Sequence, residues 1–375
     1  MPILQPLLFT PGPTPIHPKI ARVLSQPVPH HRTPEFESIF AGVRTHLKQM
    51  TGMTEVLTLV CSGTGTMEAV LCHFVEARTQ EPKLLVLNNG KFGERFFKIA
   101  QAHQLNALEI KSAWDSPISP QEVLAFLQAH PSLEVLALQA CDSSGGLRLD
   151  FEGIAKIAKE HNPNLLVVVD VITALGVEPL DVAHVDVLIG GSQKAFMAPV
   201  GLGILGLSPL ALQKLTPKGY YFNLHAELAN QQKNTTAFTA GISHIIALKA
   251  YFECVAELGG LDTLFADTKK RAQASHQALK ALGLQIYPKA PAFSMSTIYH
   301  EQATQIRKHL KKYGVIVAGG QDHLKDVLLR INHMGLVEVY EIAWVLNALE
   351  QTLLDLGLKS SFEGVAVRVF MQHYY

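Results

Sequence analysis

Short apolar runs that alternate with helical patterns constrain the fold of this chain more than any other feature of its sequence. The runs are continuous rather than alternating in polarity, and they lie at residues 56–60, 83–88, 133–139, 165–169 and 185–189. Continuous runs of this kind are typical of strands that are buried on both faces of a sheet. Helices between such strands supply the crossovers that parallel pairing needs. The sequence therefore predicts an α/β fold with a mainly parallel sheet between helices.

The pattern changes at two places, which divide the chain into three parts. Prolines at positions 2, 6, 11, 13, 15 and 18 predict an extended N-terminal arm. Gly259 and Gly260 mark a second break, and 375 residues are enough for more than one core. We predict an arm over 1–20, a large domain over 21–260 and a smaller C-terminal α+β domain over 261–375.

Two local expectations concern segments outside the main sheet. The segment 217–239 is polar and rich in Asn and Gln, and no helix or strand is assigned to it. The sequence VLLRINHMG at 327–335 predicts a strand that carries Arg330, and a final helix is expected over about 338–356.

Composition and charge exclude several classes of function. Basic and acidic side chains number 32 each, and no basic stripe or acidic tail stands out. Nucleic acids and membranes are therefore not expected partners. No apolar run approaches the length of a transmembrane helix, and the N-terminus lacks the basic residues of a signal peptide. We predict a cytoplasmic protein.

The cysteines and histidines do not form a metal-binding pattern. The four cysteines are scattered without a C-x-x-C spacing, which fits a reducing compartment and argues against a zinc site. His30 and His31 are adjacent, but no third ligand is suggested nearby. No metal is predicted.

The most informative loop follows the apolar run at 185–189 and contains Ser192, Gln193 and Lys194. A lysine just past a buried strand, among small and apolar residues, loses its proton more easily than a solvated one. An imine-forming lysine needs this property. A surface loop lysine is the alternative, and the loop alone does not decide between them.

Other candidate residues follow the neighbouring strands, where parallel sheets gather their chemistry at the carboxyl edge. They are Thr64, Gly65 and Thr66, at a helix start that suits an anion, and Phe92, Ser143 and Asp170. Each has a structural alternative: an ordinary strand-to-helix turn for the glycine-rich loop, a core aromatic for Phe92 and a helix cap for Asp170. Together with Lys194 they match what pyridoxal phosphate requires, which is an imine-forming lysine, a carboxylate for the pyridine nitrogen, a phosphate cup and a flat group over the ring.

The same residues stand in motifs that resemble those of the class V, fold-type I aminotransferases, in particular the alanine–glyoxylate/serine–pyruvate branch. The motifs follow the family's order over nearly the whole chain: FTPGP (9–13), HHRTPEF (30–36), SGTGTMEA (62–69), NNGKFGER (88–95), DSSGG (142–146), VVDVITALG (168–176), GSQKAFMAPVG (191–201), NTTAFTAGISHIIAL (234–248) and LLRINHMG (328–335). The resemblance implies a pyridoxal-phosphate enzyme with a mainly parallel sheet of the seven-stranded type.

The resemblance also implies a role for each candidate around the cofactor. Lys194 would form the Schiff base and Asp170 would contact the pyridine nitrogen, and these two are the catalytic residues. Ile172 and Phe92 would cover the two ring faces. The phosphate and the ring hydroxyl would be held by small polar residues and a glycine, namely Thr64, Gly65, Thr66, Gln193 and Ser143.

A homodimer is implied as well. Thr236 and Thr239 would reach the phosphate from the partner subunit, because their polar segment is poorly explained as core of its own chain. Thr236 stands where the family has a tyrosine, and Phe92 stands where the branch often has a tryptophan.

The substrate is expected to bind through its carboxylate. By resemblance Arg330 would pair with that carboxylate in the bidentate geometry that guanidinium groups favour, and Gly12 would line the substrate site. The alternative interpretation is that Arg330 forms a salt bridge with Asp326 or Glu338.

The implied reaction moves an amino group between a small amino acid of the alanine or serine type and a 2-oxo acid of the glyoxylate or pyruvate type. A pyridoxal-phosphate lyase or cysteine desulfurase is one alternative, although the predicted small domain holds no loop cysteine, since Cys254 precedes it. A non-catalytic accessory protein that keeps the fold is another, and the joint presence of Lys194, Asp170 and Arg330 speaks against it.

Overall fold

The computed structural model describes residues 6–375, so residues 1–5 of the predicted arm lie outside the described residues. Fourteen strands are described there: Leu7–Phe9 (β1), Glu55–Leu59 (β2), Leu84–Asn88 (β3), Ala107–Lys111 (β4), Val135–Gln139 (β5), Cys141–Asp142 (β6), Leu147–Arg148 (β7), Leu166–Asp170 (β8), Val187–Gly191 (β9), Gly203–Leu207 (β10), Gln285–Ile286 (β11), Met295–Tyr299 (β12), Val315–Gly319 (β13) and Leu328–Asn332 (β14).

The α-helices of the same range number thirteen: Pro18–Leu24 (α1), Pro34–Thr51 (α2), Gly63–Phe74 (α3), Lys91–Ala102 (α4), Pro120–Ala129 (α5), Phe151–His161 (α6), Pro209–Gln213 (α7), Leu224–Gln231 (α8), Ile242–Leu258 (α9), Leu261–Ala281 (α10), Ala303–Leu310 (α11), Val339–Asp355 (α12) and Val365–Tyr374 (α13). No helix between residues 6 and 375 is both long and apolar enough to cross a bilayer.

Seven strands form the central sheet, in the order β2-β10-β9-β8-β5-β3-β4. The run from β9 to β4 is parallel throughout, and only β10 runs against its neighbours β9 and β2. The predicted, mainly parallel sheet is confirmed. Because the strands run in one direction, the loops after β5, β8 and β9 emerge at the same edge.

Helices cover both faces of this sheet, as the apolar runs require. In β3, Leu85 and Leu87 belong to a core that also contains Phe36 of α2 and Leu248 of α9. The alternate residues of β3, such as Val86, point to the opposite face and pack in a second core with α3 and α4. This alternation explains why the strand sequences are apolar without a period of two.

A second sheet, in the order β1-β13-β14-β12-β11, contains most strands of the C-terminal part. Its apolar core is formed with α10, α11, α12 and α13. The arm contributes β1, which pairs parallel with β13. The N-terminal segment is therefore joined to the C-terminal sheet through backbone hydrogen bonds, while the domain boundary near residue 260 stays a prediction.

One local expectation is wrong, and one segment to which the sequence assigned no element contains a helix. The helix ending at Asp355 is not the final one, because α13 follows it and buries Ala366 and Phe370 against the C-terminal core. The polar segment at 217–239 contains α8, which begins at the Asn223 cap and buries Leu224. α8 has few apolar residues, and α13 packs against α10, which is distant in sequence, so tertiary contacts decide their formation.

One fully buried arginine holds the loop that follows β14. Arg271 of α10 is 1% exposed, pairs with Asp267 at 2.8 Å, and donates to the carbonyls of His333 and Gly335 at 3.2 Å. It also donates to the carbonyl of Val337. A guanidinium has five donors in a rigid fork, so one side chain can bind several carbonyls of a turning loop.

We expect Arg271→Met to lower the free energy of unfolding by about 3–5 kcal/mol, as when one partner of a buried ionic network is removed. The loss arises because the buried carbonyls of the loop would keep no donor. Chemical denaturation of the purified protein measures it. Gln273→Met places the same side chain on the exposed side of α10 and should change the unfolding free energy by less than about 0.5 kcal/mol. Equal losses for the two variants would contradict this account.

Candidate active site

Lys194 lies in the loop after β9, with only 8% of the residue exposed. Its Nζ donates to the carbonyl of Pro11 at 2.6 Å, and its own carbonyl accepts from Thr14 Oγ1 at 2.7 Å. Burial, followed by the positive charge of Arg330, lowers the pKa of Lys194 to about 8. The amine is therefore far closer to its neutral, nucleophilic form at physiological pH than an exposed lysine.

The N-terminal arm forms one wall around this lysine. Gly12 has φ +108°, a conformation that favours glycine, and a Cβ there would overlap Lys194 Nζ. The backbone N–H of Thr14 donates to the carbonyl of Gln193 at 3.0 Å. Gly12 therefore lies directly against the lysine side chain, and its predicted contact with substrate stays a prediction.

Asp170 ends β8 and is 4% exposed. Its Oδ1 accepts from the backbone N–H of Ile172 at 2.8 Å, and over residues 6–375 no basic side chain forms a salt bridge with it. Burial raises the pKa of Asp170 to about 7, against the opposing hydrogen bond from Ile172. A carboxylate in this position is ready to accept a cationic ring nitrogen, which would favour its ionised form.

The glycine-rich turn after β2 leads directly into α3. Ser62 precedes the helix and makes no side-chain cap, so the first N–H groups of α3 are free to bind an anion. Thr64 and Gly65 are partly exposed there, whereas Thr66 is fully buried and its Oγ1 lies 3.3 Å from the carbonyl of Ser62. A Cβ at Gly63 would overlap Ile172, so the residue predicted to cover the ring packs beside this helix start.

Phe92 lies in the first turn of α4. Asp142, after β5, accepts from the backbone N–H groups of Phe92 at 2.9 Å and Gly93 at 3.1 Å, which fixes this helix start. The Phe92 ring is partly exposed rather than enclosed in the core. The structure therefore does not support the alternative in which Phe92 is a core aromatic.

Arg330 of β14 brings a cation to the same place from the C-terminal sheet. It is 7% exposed, and it donates through Nε to the carbonyl of Gly319 at 2.8 Å and through Nη1 to the carbonyl of Ser143. The pKa of Arg330 is lowered to about 10, chiefly by burial. Within the described chain it forms no salt bridge, because Asp326 bonds to Thr304 and Glu338 caps α12.

Ser143 and Gln193 complete the residues that this chain gathers around Lys194. Ser143 is 3% exposed in the turn between β6 and β7. Gln193 is partly exposed, and its buried Oε1 has no hydrogen-bond partner among the described residues. An unpartnered amide oxygen next to Lys194 marks a place where a further polar group is expected.

Thr236 and Thr239 line a cavity that Val60, Tyr221 and Phe238 also line. Thr239 is exposed, but Thr236 is 8% exposed and donates to the carbonyl of Phe238 at 2.6 Å. The expectation that this segment is not packed in its own chain is therefore wrong for Thr236. Its hydroxyl is hydrogen-bonded to a carbonyl of its own segment, a contact that the sequence alone did not indicate.

Sequence reasoning missed several polar residues at this edge. Thr14 and Asp142 hold the loops in place, and Arg95 donates to Thr64 Oγ1 at 3.0 Å. Gln139 is fully buried at the end of β5, opposite Asp170, and neither atom of its amide is paired in the described structure. Arg95 could have been found from its spacing, since residues three apart on a helix share one face.

The residues present fit pyridoxal phosphate. A buried lysine with a lowered pKa, a carboxylate without a salt bridge and an uncapped helix start correspond to its aldehyde, its ring nitrogen and its phosphate. The structure offers no comparable metal site, since no group of three His, Cys, Asp or Glu side chains gathers among residues 6–375.

Comparison with known proteins points to the same chemistry. The family model for Aminotransferase class-V matches residues 21–339. An uncharacterized aminotransferase of Helicobacter pylori is 52% identical over 372 residues, covering 98% of this chain and 99% of that protein. The L-aspartate–glyoxylate aminotransferase of Paracoccus denitrificans is 26% identical, and the match covers 98% of this chain and 96% of that protein.

A solved structure, the aspartate aminotransferase of subgroup IV from Thermus thermophilus, superimposes with a TM-score of 0.86 at 31% identity. The match covers 93% of this chain and 99% of that one. With this fold and these site residues, the chain belongs to the class V aminotransferases and is a pyridoxal-phosphate-dependent transaminase of fold type I.

Proposed function

We propose that this transaminase exchanges an amino group between a small amino acid of the alanine or serine type and a 2-oxo acid of the glyoxylate or pyruvate type. One observation carries the proposal: Arg330 is a buried cation that forms no salt bridge in the described chain, close enough to Lys194 to lower its pKa. Both substrates are 2-substituted carboxylic acids, so one guanidinium can hold either of them. The resemblance to the alanine–glyoxylate branch and the name of the Paracoccus relative support glyoxylate as acceptor.

Bound pyridoxal phosphate supplies the carbonyl that takes up the amino group and a ring that stabilises negative charge at Cα. The residues of the chain provide position and proton transfer. Lys194 is the covalent attachment point, and once released it is the base that moves the proton at Cα. Asp170 keeps the ring nitrogen protonated through a charge-assisted hydrogen bond, a kind worth about 1.5–3 kcal/mol.

The loops at the carboxyl edge of the sheet support a proposed set of phosphate and ring contacts. The start of α3 with Thr64, Gly65 and Thr66, together with Gln193, holds the phosphate. Phe92 and Ile172 cover the ring, and Ser143 holds its hydroxyl. Arg330 and Gly12 stand on the substrate side of Lys194.

The active enzyme is a homodimer in the cytoplasm. Thr236 and Thr239 line a cavity with the exposed side chain of Tyr221, at 45%, and Tyr220, at 85% exposure, packs against Phe238 of its lining, which supports a covering partner subunit. The four cysteines are free, which supports a reducing compartment.

Covalent attachment to Lys194 should depend on pH in a defined way. Because the neutral amine attacks, the attachment rate of pyridoxal phosphate to apoprotein should rise as the pH passes through about 8 and then level off. Borohydride reduction at each pH, followed by peptide mapping, measures the label. Arg330→Gln removes a charge that lowers the pKa of Lys194, so the midpoint should move to higher pH. A label on another lysine would contradict the assignment.

Donor and acceptor screening tests the proposed substrates. With purified, cofactor-loaded enzyme, alanine or serine with glyoxylate or pyruvate should give the highest kcat/KM, and amines without a carboxylate should be poor donors. Preference for aspartate by more than about ten-fold would contradict the small-substrate assignment.

The carboxylate clamp is tested by Arg330→Lys, which keeps the charge but loses the two-pronged geometry. We expect KM to rise roughly 10- to 100-fold, with cofactor affinity little changed. Arg78→Lys is the control, because Arg78 is exposed and donates to Gln104 instead. Lower thermal stability with an unchanged KM would show that Arg330 only supports the fold.

Mixed dimers test the contribution of the partner subunit. Subunits carrying Lys194→Ala, mixed with subunits carrying Thr236→Ala and Thr239→Ala, should regain one intact site per heterodimer. Sedimentation and activity of the mixture measure this outcome. A fully active monomer would exclude the shared site.

A further inference from the structure

Arg95 contacts both helix starts that surround the proposed cofactor site. It lies in the first turns of α4, three residues after Phe92. Its Nη1 donates to Thr64 Oγ1 at 3.0 Å, and its Cζ lies 4.4 Å from the centroid of the Phe92 ring. One guanidinium thus joins the start of α3, which is proposed to hold the phosphate, to the aromatic ring proposed to cover the cofactor.

The charge of Arg95 is not used in any ion pair of the described residues. Its neighbour Glu94 pairs with Lys91 at 2.9 Å and with Lys98 at 2.8 Å instead. Arg95 is also only partly exposed. Its charge opposes the rise in the pKa of Asp170 and adds to the lowering of the pKa of Lys194, so it acts inside the site. A cation that forms no ion pair and lies beside an uncapped helix start favours the binding of an anionic ligand.

We propose that Arg95 is the positioning residue that sets the ring of Phe92 and the hydroxyl of Thr64 against pyridoxal phosphate. The inference rests on the proposed cofactor roles of these two residues. Arg95 holds Phe92 through a cation–π contact, which fixes the plane on which the pyridine ring stacks. It holds Thr64 through a charge-assisted hydrogen bond and adds positive potential where the phosphate dianion binds.

A purely structural role is the competing explanation, in which Arg95 only packs α4 against α3. That role predicts a loss of stability without a specific change at the cofactor. A positioning role predicts weaker cofactor binding in variants that are as stable as wild type. It also predicts a change in the pH at which the visible absorption band of the bound cofactor changes, and a purely structural role predicts neither.

The test titrates apoprotein with pyridoxal phosphate and follows its absorption band, for wild type, Arg95→Gln, Arg95→Lys and Lys98→Gln. Lys98→Gln removes the same charge from an exposed position one turn further along α4, so it is the matched control. We expect the Kd to rise roughly 10- to 100-fold for Arg95→Gln and less for Arg95→Lys, which keeps the charge but not the planar contact. The control should stay within about two-fold of wild type.

A second arm shows whether Arg95 acts through Thr64. Arg95→Gln should weaken cofactor binding less in a Thr64→Ala background than in wild type, because the contact they share is already absent. Additive losses in Kd would overturn the part of the proposal that concerns Thr64. The pH midpoint of the absorption band should also move up in Arg95→Gln, because a cation near Lys194 has been removed.

The outcomes separate this inference from the proposed function. If wild type does not attach pyridoxal phosphate to Lys194, the proposed site fails. If wild type attaches it normally and Arg95→Gln shows the Kd and band of the Lys98→Gln control, only the role of Arg95 is overturned. If Arg95→Gln does not fold, as judged by circular dichroism, Arg95→Lys decides, and a wild-type Kd and band for it would overturn the proposal.

Discussion

Three ionisable side chains buried at one edge of the central sheet are the constraint on which the rest of the structure depends. Lys194, Asp170 and Arg330 are each less than one-tenth exposed, yet none forms a salt bridge with another in the part of the chain described here. Burying an ion costs several kcal/mol, and the pKa of each group is displaced towards its neutral form. The edge is therefore suited to charges that arrive with cofactor and substrate.

Backbone groups, rather than oppositely charged side chains, provide hydrogen-bond partners for these three ionisable residues. Lys194 and Arg330 donate to carbonyls, and Asp170 accepts from an amide. Backbone partners satisfy the hydrogen-bond donors and acceptors without neutralising the charge. Each side chain can therefore still pair with an opposite charge on a ligand. The turn that contains Ser143 is itself fixed by buried Asp142, which accepts from the backbone N–H of Ser144 at 3.0 Å.

The sequence predicted the sheet well because its strands are apolar on both faces, a local property that needs no knowledge of neighbours. It also placed Lys194 and Asp170 at the carboxyl edge, since strand ends are local too. It missed α13, whose formation depends on packing against α10 far away in sequence. It missed the contacts of Arg95 with Thr64 and of Thr14 with Lys194, because only the folded chain brings these partners together, although the spacing of Arg95 from Phe92 is local.

The pairing of Leu7 with Val315 and of Phe9 with Val317 sets an order for assembly. A chain made from its N-terminus cannot place β1 until nearly all of its residues have left the ribosome, and contacts of such long sequence separation form late. The residues that follow β1 cover Lys194, so the pocket around the amine is complete only when this segment lies in place.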